Sequence, residues 1–196
     1  MPQVLNGGND FEAHVEMLRE NLRYNAEVDQ LSTNVFKTTN GAQTTYWIGD
    51  AKAASVSIIV DTTIHANFRK VELTSKNPNI PVGSKPFASD LYMIIKDDST
   101  TDNLVFTSDE FLSNDGERLW KRLVSNGGIV SVYDTSSNQY VLTSIHHKNE
   151  LSNYLGDTNK RKYLFVLSES IQEARGAVHS FAIMELKRKA NWPLFK

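Results

Sequence analysis

The sequence predicts an α/β protein whose mixed, mostly antiparallel sheet is flanked by helices, and three observations carry that prediction. Between residues 83 and 134 a short amphipathic helix, an apolar strand, a second amphipathic helix and another strand follow in close succession. Upstream, three strand-like runs lie between Thr44 and Thr74. A helical period opens the chain. The 196 residues suit one domain over 1–196, with room for a C-terminal appendage from about residue 169. A chain of this length buries about two thirds of its unfolded surface, so no metal or disulfide staple is required.

Asn9 or Asp10 supplies a helix N-cap, and Phe11, Val15, Leu18 and Leu22 recur at helical spacing, so the first helix runs to about Tyr24. Asn40 and Gly41 mark a turn between Val35 and Tyr46. Thr44 to Ile48, Ser55 to Asp61 and Phe68 to Thr74 read as successive strands of an antiparallel meander. In the last of these the alternation of Phe68, Val71 and Leu73 slips by one residue.

Three prolines and a glycine between Asn77 and Pro86 exclude regular helix or central strand there. Ala88, Leu91, Tyr92 and Ile95 then form the stripe of a helix packed on one side. Asn103 to Ser108 is an apolar strand. Ser113 or Asn114 caps a helix that turns Leu119, Trp120, Leu123 and Val124 to the core and Glu117, Arg118, Lys121 and Arg122 to water. Gly127 and Gly128 stop it. Ile129 to Asp134 and Gln139 to Ser144 read as a hairpin, and Lys162 to Leu167 as one more strand. Ser170 and Glu173 form a capping-box pattern, after which Ala177 to Leu186 reads as helix or strand, with helix favoured.

Composition narrows the function classes. The chain has no cysteine, which removes disulfides, thiolate nucleophiles and cysteine-ligated zinc together. Met1 to Asn9 lacks a basic start followed by an apolar core, and no run approaches the roughly 18 apolar residues of a membrane span. A soluble, cytoplasmic protein is expected, with no membrane partner. Lys and Arg number 21 against 23 Asp and Glu, so a protein-wide field for nucleic acid is missing. Nucleic-acid binding would need a local patch: Lys160, Arg161 and Lys162, or Lys187, Arg188, Lys189 and Lys196 beside Trp192. Short basic clusters of this kind read first as solvated surface.

The order of elements resembles the Gcn5-related N-acetyltransferase superfamily. FASDLYMIIKDD, NLVFTSDEFLSNDGERLWKRL and IVSVYD, within residues 87 to 134, look like the central helix, fifth strand, fourth helix and sixth strand of that fold. The stretch is also similar to acetyltransferase-like proteins of bacteriophages, and covers roughly a quarter of the chain. The resemblance implies acyl transfer from acetyl-CoA to an amine, with the pyrophosphate received at the start of the central helix. The family motif there is Gln or Arg, two free positions, Gly, one free position, then Gly or Ala. Its matching place is Val82, Gly83, Ser84, Lys85, Pro86, Phe87 and Ala88, which makes Gly83, Ser84, Lys85 and Ala88 the expected cofactor-binding residues. The Gln or Arg is missing, one glycine remains, and Pro86 removes an amide.

The same resemblance implies a base near the amine and a tyrosine to protonate the leaving thiolate. By position these are Glu72 and Tyr133, with Tyr140 as a further tyrosine. The histidines offer less. Adjacent His146 and His147 would point to opposite sides of a strand, so a metal site is not expected. His65 and Asp61 lie close enough in sequence to meet at a strand end, and a polar loop explains them equally well. Ser108 and Asp109 read as a strand-to-helix turn.

Three functions follow as expectations. The first is an acyl-CoA-dependent N-acyltransferase-like protein, phage-encoded and in the host cytoplasm if viral, either active or catalytically degenerate. The second is a non-catalytic phage or prophage protein that binds a host protein or assembles into the virion. The third is nucleic-acid binding through the C-terminal basic run.

Overall fold

Five strands in unbroken antiparallel succession form the body of the fold: β1 (Asp29–Ser32), β2 (Val35–Asn40), β3 (Gln43–Gly49), β4 (Val56–His65) and β5 (Phe68–Lys76). The computed structural model describes residues 9–24, 27–65, 68–109, 112–137, 139–156 and 162–168. The chain forms two units that divide after Asp109. Each has the predicted α/β, mostly antiparallel character.

In the first unit, α1 (Asn9–Tyr24) precedes the meander, while α2 (Ala88–Thr101) and β6 (Val105–Thr107) follow it. β6 lies parallel to β5 at the end of the order β1-β2-β3-β4-β5-β6. The helices cover opposite faces of this sheet. Successive residues of a strand point to opposite sides, and neighbouring Tyr46 and Trp47 of β3 divide accordingly. The Trp47 ring joins Phe11, Val15 and Leu18 of α1, with Phe36 and Ile59, in one apolar cluster. The Tyr46 hydroxyl instead donates to Asp98 of α2 at 2.6 Å. A strand covered on both faces needs no polar alternation, which explains the continuous buried run from Thr44 to Ile48.

The apolar stripe of α2 buries Leu91, Tyr92 and Ile95, and the helix continues past Asp98 through Ser99 to Thr101. Asp97, Asp98 and Asp102 crowd its C-terminal end, where the helix dipole disfavours negative charge. The sheet supplies the compensation. Lys37 Nζ lies 2.7 Å from Asp98, and Arg69 Nη2 lies 2.7 Å from Asp102. Ser99, Thr100 and Thr101 hydroxyls each donate to the carbonyl four residues back, which satisfies these polar groups within the helix.

The turn between β3 and β4 is tied by one carboxylate. Asp50 accepts from the backbone N–H groups of Lys52, Ala54 and Ser55 at 2.9, 3.1 and 2.7 Å. Burial acts to raise its carboxyl, and these three donors together with Arg19 outweigh that and hold it below the ordinary range. Gly49 is required here because a Cβ would sit 2.0 Å from the Ser55 carbonyl oxygen.

In the second unit, α3 (Asn114–Ser125) leads into β7 (Ile129–Asp134), β8 (Gln139–Ile145), the short α4 (Lys148–Leu151), a single 3-10 turn (Ser152–Tyr154) and β9 (Tyr163–Ser168). The predicted hairpin of β7 and β8 is present, and β9 pairs antiparallel along the other edge of β7. That central place explains the apolar run of β7. Ser113 caps α3 by accepting from Gly116 N–H at 3.2 Å. At the other end Gly127, at φ +86°, lets the Gly127 and Gly128 amides close on the Val124 and Leu123 carbonyls at 3.1 and 2.9 Å, the two bonds of a Schellman stop. Trp120, Leu123 and Val124 face inward as predicted, with the Trp120 ring 5.8 Å from that of Phe165. Leu119 is only partly buried.

The expected appendage from about residue 169, the helix-or-strand segment 177–186, Lys160, Arg161, Trp192 and the basic run Lys187, Arg188, Lys189 and Lys196 lie outside the described residues. Among the described residues, no helix is long and apolar enough to cross a membrane.

Candidate functional site at the end of the parallel strands

The parallel pair supplies an asymmetric end. β6 pairs with β5 through Phe68↔Val105, Arg69↔Phe106 and Lys70↔Thr107, and stops there, while β5 runs six residues further, to Lys76. Just past the last pair, the ladder between β4 and β5 jumps: Thr62 opposes Val71 and Asp61 opposes Leu73, leaving Glu72 as the extra residue of a β-bulge. A bulge bends its strand and raises the local twist. The alternation that slips in the sequence of this strand has that irregularity as its structural counterpart. Beyond the carboxyl ends of parallel strands is where open α/β sheets bind ligands.

Several functional groups gather on this stretch. Lys70 Nζ lies 3.7 Å from Glu72 and 4.0 Å from Asp109, so one ammonium stands between two carboxylates. The Thr74 hydroxyl meets the Tyr92 hydroxyl at 2.8 Å. Burial pushes the Tyr92 hydroxyl up; its bond with Thr74 opposes this and the Asp109 carboxylate adds to it. Thr107 Oγ1 is buried with no hydrogen-bond partner among the described residues.

The loop from Asn77 to Phe87 returns the chain to α2. Lys76 Nζ donates to the Ser84 carbonyl at 2.8 Å and lies 5.8 Å from the centre of the Phe87 ring, so β5 itself holds the loop. Gly83 takes φ +82°. Ser84 N–H closes on the Pro81 carbonyl at 3.0 Å, and the Lys85–Pro86 peptide is cis. Phe87 stands at the N-cap of α2 with no side chain capping the helix. Ala88 opens the helix, Asp90 lies in its first turn, and Lys85 is exposed. Of the expected cofactor residues, Gly83, Ser84, Lys85 and Ala88 therefore share one loop and helix start. The Ser84 amide is already committed to a turn, and Asp90 places a negative charge where a phosphate would be received.

Of the two expected catalytic residues, Glu72 lies on β5 in the first unit and Tyr133 on β7 in the second. Tyr133 is buried and its ring meets that of Tyr140 edge-on at 5.3 Å. Burial, and secondarily Tyr133, push the Tyr140 hydroxyl up. His146 and His147 are exposed at the end of β8. Among the described residues no three His, Asp or Glu side chains converge as a metal site would require.

Asp61 and His65, for which a meeting at a strand end and a polar loop were equal readings, both lie on β4; His65 is exposed, and the Asp61 carboxylate faces His14 of α1, with Nε2 2.9 Å from Oδ2. The sequence carried a signal for this. His14 stands at helical spacing from Phe11 and Leu18, on the stripe that must face the sheet, and a buried imidazole needs polar partners. Lys70, Lys76 and Tyr92 were likewise missed, because only folding sets Lys70 near Asp109, Lys76 against the 77–87 loop and Tyr92 against Thr74.

No protein-family model, curated protein or solved structure matches the chain with significance.

Proposed function

We propose that the chain is an acyl-CoA-dependent N-acyltransferase-like protein of the Gcn5-related kind, phage-encoded and cytoplasmic, which binds its acyl donor where β5 outruns β6. The observation that carries this reading is the crossover from β5 through α2 to a parallel β6, with a bulge at Glu72 and the 77–87 loop arriving at the start of α2. The antiparallel meander before it, and α3 and β7 after it, agree with the order expected of that fold. In this reading the α2 N-terminus, Gly83, Ser84 and Ala88 receive the pyrophosphate, with Lys85 and Lys76 as nearby cations. Glu72 acts as base toward the acceptor amine.

A second reading is favoured by the same loop. Val82 is fully exposed, and the committed Ser84 amide and nearby Asp90 weaken a phosphate cradle. These features suit a phage or prophage protein that keeps the fold and binds a host protein or joins the virion.

Calorimetric titration with acetyl-CoA and free coenzyme A separates the two. Saturable binding that is lost in Lys85→Glu, an exposed position, supports the acyltransferase reading. Absence of binding at millimolar cofactor overturns it in favour of a partner-binding protein.

A further inference from the structure

On the α1 face of the sheet, three side chains form a chain of hydrogen bonds that the acyl-CoA reading does not use. Ser75 Oγ lies 2.8 Å from His14 Nδ1, and His14 Nε2 lies 2.9 Å from Asp61 Oδ2. Thr45 Oγ1 donates to the other carboxylate oxygen at 2.6 Å. An ionised carboxylate only accepts, so it fixes the ring with its proton on Nε2. In the neutral ring Nδ1 then carries the lone pair, and the Ser75 hydroxyl donates to it. The serine proton is aimed at a base whose opposite nitrogen is held by a carboxylate, the arrangement that activates serine nucleophiles on unrelated folds.

Burial is graded along this chain. His14 is 1 % exposed and Asp61 is 6 % exposed, while Ser75 is only half-buried. The base and its anchor are kept from water, while the serine residue retains partial exposure. A cavity of about 200 Å³ is lined by sequence neighbours of these residues, Phe11, Glu12, Val15 and Arg19 of α1 together with Ser55 and Asn77. Phe11 is one turn before His14 on α1, and Asn77 is the next residue after Ser75 on that side of the chain. The cavity's volume and its mixed lining, largely polar where it is accessible, suit a small polar ester.

We infer that Ser75 is a nucleophile toward small acyl esters, with His14 as its general base and Asp61 as the residue that positions the imidazole. Ser75 Oγ bonds to the ester carbonyl carbon and its proton passes to His14 Nδ1. The carbon–oxygen bond to the alcohol breaks, and the alcohol leaves with that proton. Water then attacks the Ser75 ester, losing a proton to His14, which returns it to Ser75 as the carboxylic acid departs.

The test treats the full chain with an alkyl fluorophosphonate and maps the adduct by tandem mass spectrometry. One adduct on Ser75 is expected in the native protein. It should be absent in Ser75→Ala, slowed by about 100-fold in His14→Gln, and unchanged in Ser125→Ala. Labelling in urea should also vanish, which tests the arrangement even where a variant fails to fold. Native protein that takes no adduct overturns the proposal. So does labelling of Ser75 that persists in urea or that keeps the native rate in folded His14→Gln. The outcome is independent of the coenzyme A titration, since an adduct on Ser75 reports on its hydrogen bonds with His14 and Asp61 and not on the start of α2.

Discussion

The Tyr46 hydroxyl and the Asp98 carboxylate meet at 2.6 Å, joining the middle of β3 to the C-terminal half of α2. Lys37 Nζ binds the other oxygen of the same carboxylate at 2.7 Å, so one acid serves a phenol and an ammonium on neighbouring strands. Removing the acid strands both. Asp98→Ala should cost about 3 kcal/mol of stability, because a largely buried cation is left without its partner. Tyr46→Phe removes one bond and should cost about 1 kcal/mol. Urea denaturation gives both values, and equal costs would refute the central place of Asp98.

Gly49 sits where the chain turns back against itself. A methyl group there meets the Ser55 carbonyl oxygen at 2.0 Å, and this neighbour is backbone that cannot rotate aside. Gly49→Ala should therefore cost at least the upper end of the roughly 1–3 kcal/mol typical of overpacking. Gly41→Ala, at a turn with open space around it, should cost less, about 1 kcal/mol for its positive φ. The melting temperatures of the two variants settle the order.

Most of the fold could be read in the chain for a local reason. Helical stripes such as Phe11, Val15 and Leu18, caps such as Ser113, and stops such as Gly127 act within one or two turns. Pairing does not. Nothing near Lys162 to Leu167 announces that this strand takes the free edge of β7, and β1 has too short an apolar pattern to declare itself. The site divides in the same way. Gly83 to Ala88 could be proposed together because they are contiguous, whereas His14, Asp61 and Ser75 come from three elements and meet only after the sheet and helix have packed. The hydrogen bond between Asp61 and His14 spans 47 residues of sequence.

Acid should loosen the second unit through Asp134. The Ser136 hydroxyl, ahead of the Ser136 and Ser137 amides and Lys162, holds its carboxyl below the ordinary value of 3.8 against the effect of burial. A lowered folded value stabilises the charged form, so the contribution is present above pH 3.8 and is lost as pH falls through the lowered value. Asp134→Asn should flatten the fall in stability below about pH 4, measured by urea midpoints at a series of pH values. An unchanged slope would remove Asp134 from the account.

Alkali should act on the first unit through Tyr92. Burial raises its hydroxyl above the ordinary value of 10.0, so the folded chain keeps a proton that the unfolded chain releases. Stability is then full below pH 10 and falls as pH rises, by about 1.4 kcal/mol per pH unit for one such group. Tyr92→Phe loses the bond to Thr74 and should be less stable at pH 8, yet it should decline less steeply above pH 10. Parallel declines in both proteins would contradict this.

The placement of two indoles has a practical consequence. Trp47 is wholly enclosed under α1 in one unit, and Trp120 is equally enclosed beneath α3 in the other. In a chain carrying Trp192→Phe, each remaining tryptophan is an emission probe of its own half. Replacing Trp47 or Trp120 in turn then resolves whether the halves melt in one cooperative event or in sequence, from fluorescence alone and without an added label.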